Sequence, residues 1–482
     1  MLHNQDSNES QADDAHSLAR KTLQHDSNTG DIARSMSETT PFFAQAPRTP
    51  EITERFPDLH PPLNRTAAIA EANRCLYCFD APCTGACPTH IDVPRFIKKI
   101  ASGNLEGSAK TILDANILGA SCSRACPVDV LCEGACVMHR YNKQPIEIAK
   151  LQRFAMDALH ENGGSLPFSP GEDTGKSVAL VGGGPASLAC AAELRRHGIK
   201  AEIFDARPLP GGLNTYGVAE YKLPLAESLR EIDLLAQLGV AFNFSVTVDD
   251  KILSDLEASH DAIFLGVGLG GIHQLGITGE SLPGVQNALD YIADYKSGKV
   301  TAAPRRVAVI GAGNTAIDAA NAAVRLGAAD VHLIYRRGRE QISAFAFEYE
   351  HAKQEGVKFL WHTTPIGILG ADAVEALDLV TLEASSNGPS PPQARENFQL
   401  SIDLVILAIG QSTHTDFLKN GQIKLEGGHV LIDRVTGQTT NPKYFAGGDC
   451  TNGGREVVDA VADGKRAGIG IAAWLEGQRA NT

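Results

Sequence analysis

The spacing of apolar residues changes near residue 170, and this change divides the chain into two parts of different structure. From about residue 51 to 165, apolar residues recur at helical spacing, as in PPLNRTAAIAEANRC, PRFIKKIASGN and PIEIAKLQRFAMDALHEN. We therefore predict an all-α domain over residues 51–165. Residues 1–50 are rich in Ser, Asp, Asn, Gln and His with little apolar periodicity, so a mobile N-terminal tail is predicted there.

After residue 165 the pattern switches to alternating strands and helices. A linker rich in Gly, Pro and Ser, residues 163–176, marks the boundary. The stretch at 177–207 indicates strand, Gly-rich turn, helix and strand, and the stretch at 305–340 repeats that unit. Two similar apolar runs that end in Gly, at 261–268 and 403–410, mark where the chain crosses between nested domains. The pattern predicts two Rossmann-like α/β domains.

One of these domains is predicted to be split around the other. The first dinucleotide-binding domain comprises residues 177–300 and 411–482, because a strand ending in Gly447, Gly448 and Asp449 and a further helix come last in the chain. Residues 301–410 form the inserted second domain.

The first Gly-rich turn carries a dinucleotide-binding fingerprint. Gly182 permits the tight turn, and Gly184 lets a pyrophosphate approach the backbone at a helix N-terminus. Ser187 stands where Gly or Ala is usual but is small enough to pack. Asp205 ends the second strand, where a carboxylate binds ribose hydroxyls. Strand, helix and acid together favour a cofactor site over a Gly-rich turn that binds nothing.

The second turn has the same fingerprint and a different strand end. Gly311, Gly313 and Ala316 occupy the fingerprint positions, but the following strand ends in Tyr-Arg336-Arg337 instead of an acid. Arginines in this place suit a 2′-phosphate, so the second site is predicted to prefer NADPH to NADH. The alternative is that the two arginines are only a solvated strand edge.

Eight of the ten cysteines fall between residues 75 and 136. The beginning of the chain has neither a basic segment nor an apolar core typical of a secretory signal, and no apolar run could cross a membrane. We therefore expect a cytoplasmic protein, in which metal ligation is favoured over disulfides. The net charge of −14 argues against nucleic acid or anionic lipid as a partner. Paired zinc sites remain an alternative to redox clusters.

The paired fingerprints with a terminal Gly-Gly-Asp resemble the flavoprotein disulfide-reductase superfamily, in which FAD occupies the first site and NAD(P)H the second. The cysteine segment narrows this resemblance. CLYCFDAPCTGACPTHIDVPRFI, LGASCSRACPVDVLCEGAC and LQRF are similar to the N-terminal half of dihydropyrimidine dehydrogenase and to its separate small subunit in bacteria. The resemblance covers about residues 60–482. Glutamate synthase small subunit is a close relative with a similar start.

The family resemblance implies two 4Fe-4S clusters whose ligands cross between the cysteine runs. One cluster would be held by Cys75, Cys78, Cys83 and Cys136, and the other by Cys87, Cys126, Cys132 and Gln152. Spacing alone would favour Cys122 as the eighth ligand, whereas the resemblance makes Cys122 a non-ligating residue and Gln152, within LQRF, the ligand.

The same resemblance implies the cofactor contacts. FAD would be contacted by Gly182, Gly184, Pro185, Ala186, Asp205, Gly212, Leu213, Lys222, Gly448 and Asp449. NADPH would be contacted by Ala312, Gly313, Asn314, Thr315, Arg336 and Arg337. Lys222 stands where the family often has arginine, and Ser343 stands where the family has a further arginine, for which Arg339 could substitute.

The family resemblance also implies the reaction. Electrons would pass from NADPH through FAD and two 4Fe-4S clusters to a separate FMN-bearing subunit that reduces uracil and thymine. The cofactors supply this chemistry, so no catalytic acid, base or nucleophile is predicted among the side chains. The alternative is the small subunit of glutamate synthase, which delivers NADPH electrons to a large amidotransferase subunit. A zinc-stabilised nucleotide-binding adaptor is the non-enzymatic alternative.

Overall fold

The computed structural model describes residues 41–46, 50–383, 394–413, 415, 418 and 423–479. Most of the predicted mobile tail, residues 1–40 and 47–49, lies outside the described residues. Phe42–Gln45 form a 3-10 helix inside the stretch predicted as tail. Asp233 accepts hydrogen bonds from the backbone N–H groups of Phe42 at 2.7 Å and Phe43 at 3.0 Å. These contacts tie this part of the predicted tail to the first α/β domain.

A helical domain comes first, as the apolar spacing predicts. Its α-helices are α1 Pro50–Arg55, α2 Arg65–Asn73, α3 Pro82–Ala86, α4 Val93–Ala101, α5 Leu105–Ala115, α6 Gly119–Ala125 and α7 Ile148–Glu161. The 3-10 helices Val128–Val130 and Val137–Tyr141 lie between α6 and α7. Side chains of Asn64, Asp92 and Asn104 accept hydrogen bonds from the first turns of α2, α4 and α5. Each such cap satisfies an otherwise unpaired N–H and typically contributes about 1 kcal/mol.

The core of the helical domain lies between α4, α5 and α7. Phe96, Ile97 and Ile100 of α4 and Leu151 of α7 are fully buried. They belong to one hydrophobic cluster that continues into the first α/β domain, where it includes Leu229 of the helix at 225–236. The cysteine-bearing loops are therefore held on a rigid base that is packed against the dinucleotide-binding part.

The α/β part contains the strands of two parallel sheets and of smaller antiparallel pairings. They are β1 Ser177–Val181, β2 Lys200–Asp205, β3 Ala241–Phe244, β4 Ala262–Leu265, β5 Gly271–Ile272, β6 Val285–Asn287, β7 Arg306–Ile310, β8 Asp330–Ile334, β9 Lys358–Leu360, β10 Thr363–Leu369, β11 Ala376–Leu382, β12 Ala394–Ser401, β13 Leu404–Leu407, β14 Gln411–Ser412, β15 Leu425–Glu426, β16 His429–Val430 and β17 Tyr444–Ala446.

The helices of the α/β part cover these sheets. They are α8 Pro185–Arg196, α9 Leu213–Tyr216, α10 Leu225–Ala236, α11 Asp250–Ser259, α12 Ala288–Lys296, α13 Asn314–Arg325, α14 Ala346–Gln354, α15 Asp449–Asn452 and α16 Val457–Arg479. A 3-10 helix, Arg339–Gln341, lies between β8 and α14. Among the described helices, none is long and apolar enough to cross a membrane.

The first parallel sheet has the strand order β17-β4-β1-β2-β3. Its last strand in sequence, β17, pairs with β4 by the register Tyr444 to Ile263, although some 180 residues separate them. The first domain is thus split around an insertion, as the sequence pattern predicts. Strands β1, β4 and β17 each lead to a Gly-rich segment at the carboxyl end, and these ends meet at one edge of the sheet.

The second parallel sheet has the order β6-β13-β7-β8-β9, and β10, β11 and β12 form an antiparallel sheet beside it. Here the structure corrects a predicted boundary. Residues 285–300 were assigned to the first domain, but β6 pairs with β13 through Val285 and Val405, and α12 follows it. Backbone pairing places this segment in the second domain, and β5 and β14 form the antiparallel crossing between the domains.

Candidate functional site

A cavity of about 540 Å³ opens at the carboxyl edge of the first sheet. Nine of the ten residues predicted to contact FAD line it: Gly182, Gly184, Pro185, Ala186, Asp205, Gly212, Leu213, Gly448 and Asp449. Gly182 has a φ of +94°, and a Cβ there would lie 2.5 Å from the Gly266 carbonyl oxygen. Only glycine fits this close approach of two strand ends.

The local geometry suits the adenosine diphosphate half of FAD. Helix α8 begins immediately after Gly184, so its unpaired N–H groups face the cavity. The Asp205 carboxylate accepts hydrogen bonds from the backbone N–H of Gly183 at 2.6 Å and of Arg207 at 2.7 Å. These bonds fix the acid at the end of β2, beside the Gly-rich turn. The residues present therefore fit a pyrophosphate and a ribose.

Lys222 does not line this cavity, and here the structure differs from the prediction. Its ammonium group lies 2.6 Å from Asp318 and 2.6 Å from Glu348, both carried by helices of the second domain. The three side chains are 10%, 8% and 7% exposed. Burial raises the pKa of Glu348 to about 7, although the Lys222 charge opposes that shift. Lys222 thus connects the two dinucleotide-binding domains.

A second cavity, of about 740 Å³, lies at the carboxyl edge of the second sheet. Of the predicted NADPH contacts, Ala312, Gly313, Thr315, Arg336 and Arg337 line it. Asn314 does not, because it is the first residue of α13 and its side-chain oxygen accepts a hydrogen bond from the backbone N–H of Phe345 at 3.1 Å. Arg339 is also absent from the lining and pairs with Glu350 at 3.1 Å.

The exposed side chains of Arg336 and Arg337 stand at the rim of the second cavity. This is where β8 ends and where a carboxylate would repel a phosphate. Two guanidinium groups fit a 2′-phosphate, since arginine offers paired donors to its oxygens. Ser343 lines the same cavity and donates a hydrogen bond to the Ala312 carbonyl oxygen at 3.3 Å.

The two cavities meet. Asn287, Leu289 and Gln411 line both of them. A dinucleotide in each cavity would therefore have a common boundary at which two rings can come together for hydride transfer. Sequence reasoning missed these three residues, since they belong to no motif. Of the three, only Gln411 could have been located from the sequence, because it directly follows the apolar run that ends in Gly410.

The first predicted set of cluster ligands surrounds one cavity of the helical domain. Cys75, Cys78, Cys83 and Cys136 all line it, together with apolar residues such as Ile97. Burial raises the pKa of Cys83 to about 11, and the charges of Cys75 and Cys136 add to this shift, which shows how near these thiols are. The two cysteine runs are thus brought together in the order that the resemblance implies.

In the second set, the charges of Cys87 and Cys132 act on neighbouring thiols of the set, while Gln152 contacts α6. Burial raises the pKa of Cys132, and the charges of Glu133 and Cys87 add to it. The pKa of Cys126 is raised mainly by a hydrogen bond with Cys122 and, to a smaller extent, by burial. Cys122 itself accepts a hydrogen bond from the Asn116 amide at 3.2 Å. The structure therefore places Cys122 beside the second set.

Gln152 lies on α7, which packs against α6. It is 7% exposed, and its amide N–H donates a hydrogen bond to the Gly119 carbonyl oxygen at 2.7 Å. This bond holds the Gln152 amide against the first turn of α6, the helix that carries Cys122. Within the ranges that the structure describes, no three His, Cys, Asp or Glu side chains converge as a single metal ion requires.

Helix α10 connects the FAD cavity with the second cysteine set. On one side, Ser228 shares a 2.9 Å hydrogen bond with Thr215 of α9, which borders the FAD cavity. On the other side, Glu231 accepts hydrogen bonds from the backbone N–H groups of Ala120 at 2.6 Å and Ser121 at 3.0 Å. Glu231 thereby caps α6, which leads to Cys126. Sequence reasoning missed this buried acid.

Comparisons with known proteins agree with both parts of the structure. Residues 52–164 match the family described as dihydropyrimidine dehydrogenase domain II, 4Fe-4S cluster. Residues 176–464, more than half of the chain, match the pyridine nucleotide-disulphide oxidoreductase family. The gap between the two matched ranges, residues 165–175, lies within the predicted linker.

Two curated relatives are similar over most of their length. The glutamate synthase [NADPH] small chain of Escherichia coli is 34% identical over 445 residues, which cover 87% of this chain and 94% of the relative. The NAD-dependent dihydropyrimidine dehydrogenase subunit PreT of Salmonella typhimurium is 32% identical over 424 residues, covering 87% and 97%.

Solved structures show the fold of the α/β part. Lactococcus lactis thioredoxin reductase, with 20% identity and a TM-score of 0.51, covers 63% of this chain and 99% of its own. FprA from Mycobacterium tuberculosis, with 21% identity and a TM-score of 0.51, covers 63% and 86%. The chain belongs to the pyridine nucleotide-disulphide oxidoreductase family. Together with its 4Fe-4S domain, this makes it an NAD(P)H-dependent oxidoreductase that uses FAD and iron–sulfur clusters as cofactors.

Proposed function

We propose that this chain is the electron-input subunit of a dihydropyrimidine dehydrogenase. It takes electrons from NADPH through FAD and two 4Fe-4S clusters and passes them to a separate FMN-bearing subunit, which reduces uracil and thymine. The observation that carries the proposal is the second ligand set, in which Gln152 of LQRF faces the cysteine-bearing helix α6. The match of residues 52–164 to a dihydropyrimidine dehydrogenase domain supports it.

The residues divide the work between them. The N-terminus of α8 and the Asp205 carboxylate would hold the adenosine half of FAD, and FAD would supply the conversion of a hydride into single electrons. Asn287, Leu289 and Gln411 line both cavities and would border both dinucleotides. Helix α10 then leads from the FAD cavity to the second cysteine set.

Purification with the partner tests this proposal. The tagged chain, expressed in its own organism, should co-purify with an FMN-containing protein. The pair should form dihydrouracil from uracil and NADPH, whereas this chain alone should oxidise NADPH only with an artificial acceptor. Full-rate uracil reduction by the isolated chain would overturn the proposal.

A second candidate is the small subunit of glutamate synthase. The Escherichia coli relative carries that name at 34% identity, and the name of PreT specifies NAD, whereas Arg336 and Arg337 favour NADPH. Co-purification with a large amidotransferase, and glutamate formation from glutamine and 2-oxoglutarate by the pair, would establish this candidate in place of the first.

Coenzyme preference has its own test. Replacing Arg336 and Arg337 together with Gln should raise the KM for NADPH by about a hundredfold or more, because each lost contact to a charged phosphate is worth roughly 1.5–3 kcal/mol. The KM for NADH should change little. Steady-state kinetics with ferricyanide as acceptor measure both values, and equal effects on the two coenzymes would contradict phosphate recognition.

A further inference from the structure

Large hydrophobic side chains are exposed beside the first cysteine set. Phe79 is 100% exposed, Tyr141 63% and Leu76 53%. Leu76 directly follows Cys75, and Phe79 directly follows Cys78. Exposed apolar residues that are grouped rather than scattered indicate an interaction surface. In this case the group surrounds the outer side of a predicted redox centre.

A cleft connects two of these side chains with the redox centre. Leu76 and Tyr141 line a surface cleft of about 670 Å³ together with Met138 and Lys143. Leu76 and Met138 also line the cavity of the first cysteine set. Leu76 and Met138 therefore form a common wall between the cleft and the cavity of the first cysteine set.

The surroundings of the cleft are cationic, although the whole chain has a net charge of −14. Exposed cationic side chains on the segments around it are Arg95, Lys98, Arg140 and Lys143, against exposed Asp80 and Asp92. Lys98 also lies 4.5 Å from the ring centre of Tyr77, within the first cysteine run. Arg74 lines the cleft as well, but Glu71 pairs with it at 2.7 Å.

We propose that this surface, defined by Leu76, Phe79, Tyr141, Arg95, Lys98, Arg140 and Lys143 and called the exit face, docks an acidic electron-accepting protein. The proposal rests on the proposed function, in which electrons leave through the clusters. The cationic rim steers an acidic partner into place, and the apolar centre supplies contact area that excludes water.

The electrons given by NADPH balance those taken up by the acceptor. NADPH gives NADP⁺, one proton and two electrons, and two one-electron acceptor molecules are each reduced once per NADPH. The exit face itself forms no bond and transfers no proton. Its role is to bring an acidic acceptor to the cleft, so its side chains should lower the second-order rate constant for acidic protein acceptors when replaced and should not lower that for other acceptors.

The test uses the holoenzyme with two protein acceptors of opposite charge, an acidic flavodoxin and the basic cytochrome c. A triple variant, K98E/R140E/K143E, should lower kcat/KM for flavodoxin by about tenfold or more at low salt and leave or raise that for cytochrome c. Phe79→Ser should lower the flavodoxin value alone. A matched control, K200E/K251E/K299E, reverses exposed lysines far from the cysteines in sequence and should behave like the wild type.

Further measurements separate docking from damage. FAD, iron and sulfide contents and NADPH–ferricyanide activity should equal those of the wild type in every variant. Unchanged flavodoxin kinetics in the triple variant would overturn the exit face, as would equal losses with both proteins. The exit face would instead be a lipid-binding surface if the wild type, but not the triple variant, bound phosphatidylglycerol vesicles while the flavodoxin kinetics of the two proteins were the same. If the flavodoxin result holds while neither proposed partner co-purifies, only the partner's identity is wrong.

Discussion

Gln152 and Cys122 compete for the role of eighth cluster ligand. Gln152→Ala should lose one 4Fe-4S cluster, because it removes the side chain that the family resemblance makes the eighth ligand and that packs against α6 at Gly119. Cys122→Ala should keep both clusters, because the resemblance makes Cys122 a non-ligating residue. Iron and acid-labile sulfide per chain, with EPR of the reduced protein, measure the outcome. The opposite pattern would make Cys122 the ligand.

Lys222 provides a second prediction for a single residue. Lys222→Met leaves Asp318 and Glu348 buried beside each other without their cation, which should destabilise the protein by about 3–5 kcal/mol. Thermal unfolding of the holoenzyme measures this loss. Lys222→Arg keeps the charge and serves as the control, and adding Glu348→Gln to Lys222→Met should restore part of the loss. Equal stability of the Met and wild-type proteins would show that the ion cluster contributes nothing.

Among the elements, α10 contacts both the FAD side and the cluster side, and Glu231 is one of its buried contacts with α6. Burial raises the pKa of Glu231 from 4.5 to about 7. The folded protein therefore binds this proton more tightly than the unfolded chain does. The contribution of Glu231 to the free energy of unfolding should accordingly fall as pH rises from about 4.5 to about 7.

Glu231→Gln removes that ionisation and keeps the shape. Below about pH 5 the variant should be less stable by about 1–3 kcal/mol, because one of two backbone N–H groups loses its acceptor. Its decline in melting temperature between about pH 5 and about pH 7.5 should be shallower than that of the wild type. Glu227→Gln, on the same helix, is the control. Parallel pH profiles for the variant and the wild type would contradict the prediction.

The elements that sequence could predict are those whose signals are local. The turn at Gly182 and the acid at Asp205 lie within one strand-helix-strand unit, so spacing alone located them. The pairing of Lys222 with Asp318 and Glu348 joins residues that are about 100 positions apart in the sequence, and no sequence pattern predicts it. Strand β6 has only three residues, too few to show an alternation of apolar and polar positions. The sequence therefore predicts the boundary between the two dinucleotide-binding domains at residue 300, although the second domain already includes β6. Only the folded chain shows that Glu231 caps α6.

At the scale of the whole molecule, the residue that follows α1 joins the start of the helical domain to the second dinucleotide-binding domain. This residue, Phe56, is 5% exposed and stacks on Tyr295 of α12, with ring centres 4.9 Å apart. Phe56→Ala should lower the free energy of unfolding by about 3–5 kcal/mol, because it leaves a cavity between two domains. Phe79→Ala, at a fully exposed site, is the matched control and should change stability little. Thermal melts of both variants decide the point.

The crossing strands β5 and β14 have a consequence for evolution. Gly271, where the chain enters the inserted domain, pairs with Ser412, where the chain leaves it. Because the two ends are neighbours, the insert can be exchanged as one cassette if the new insert keeps the partners of Lys222 and Phe56 and the residues that line the FAD cavity. Arg336 and Arg337 lie inside this cassette. A gene in which a relative's insert with an acidic strand end replaces it would inherit a preference for NADH, while the clusters and the Gly-rich turn of the FAD site stay as they are.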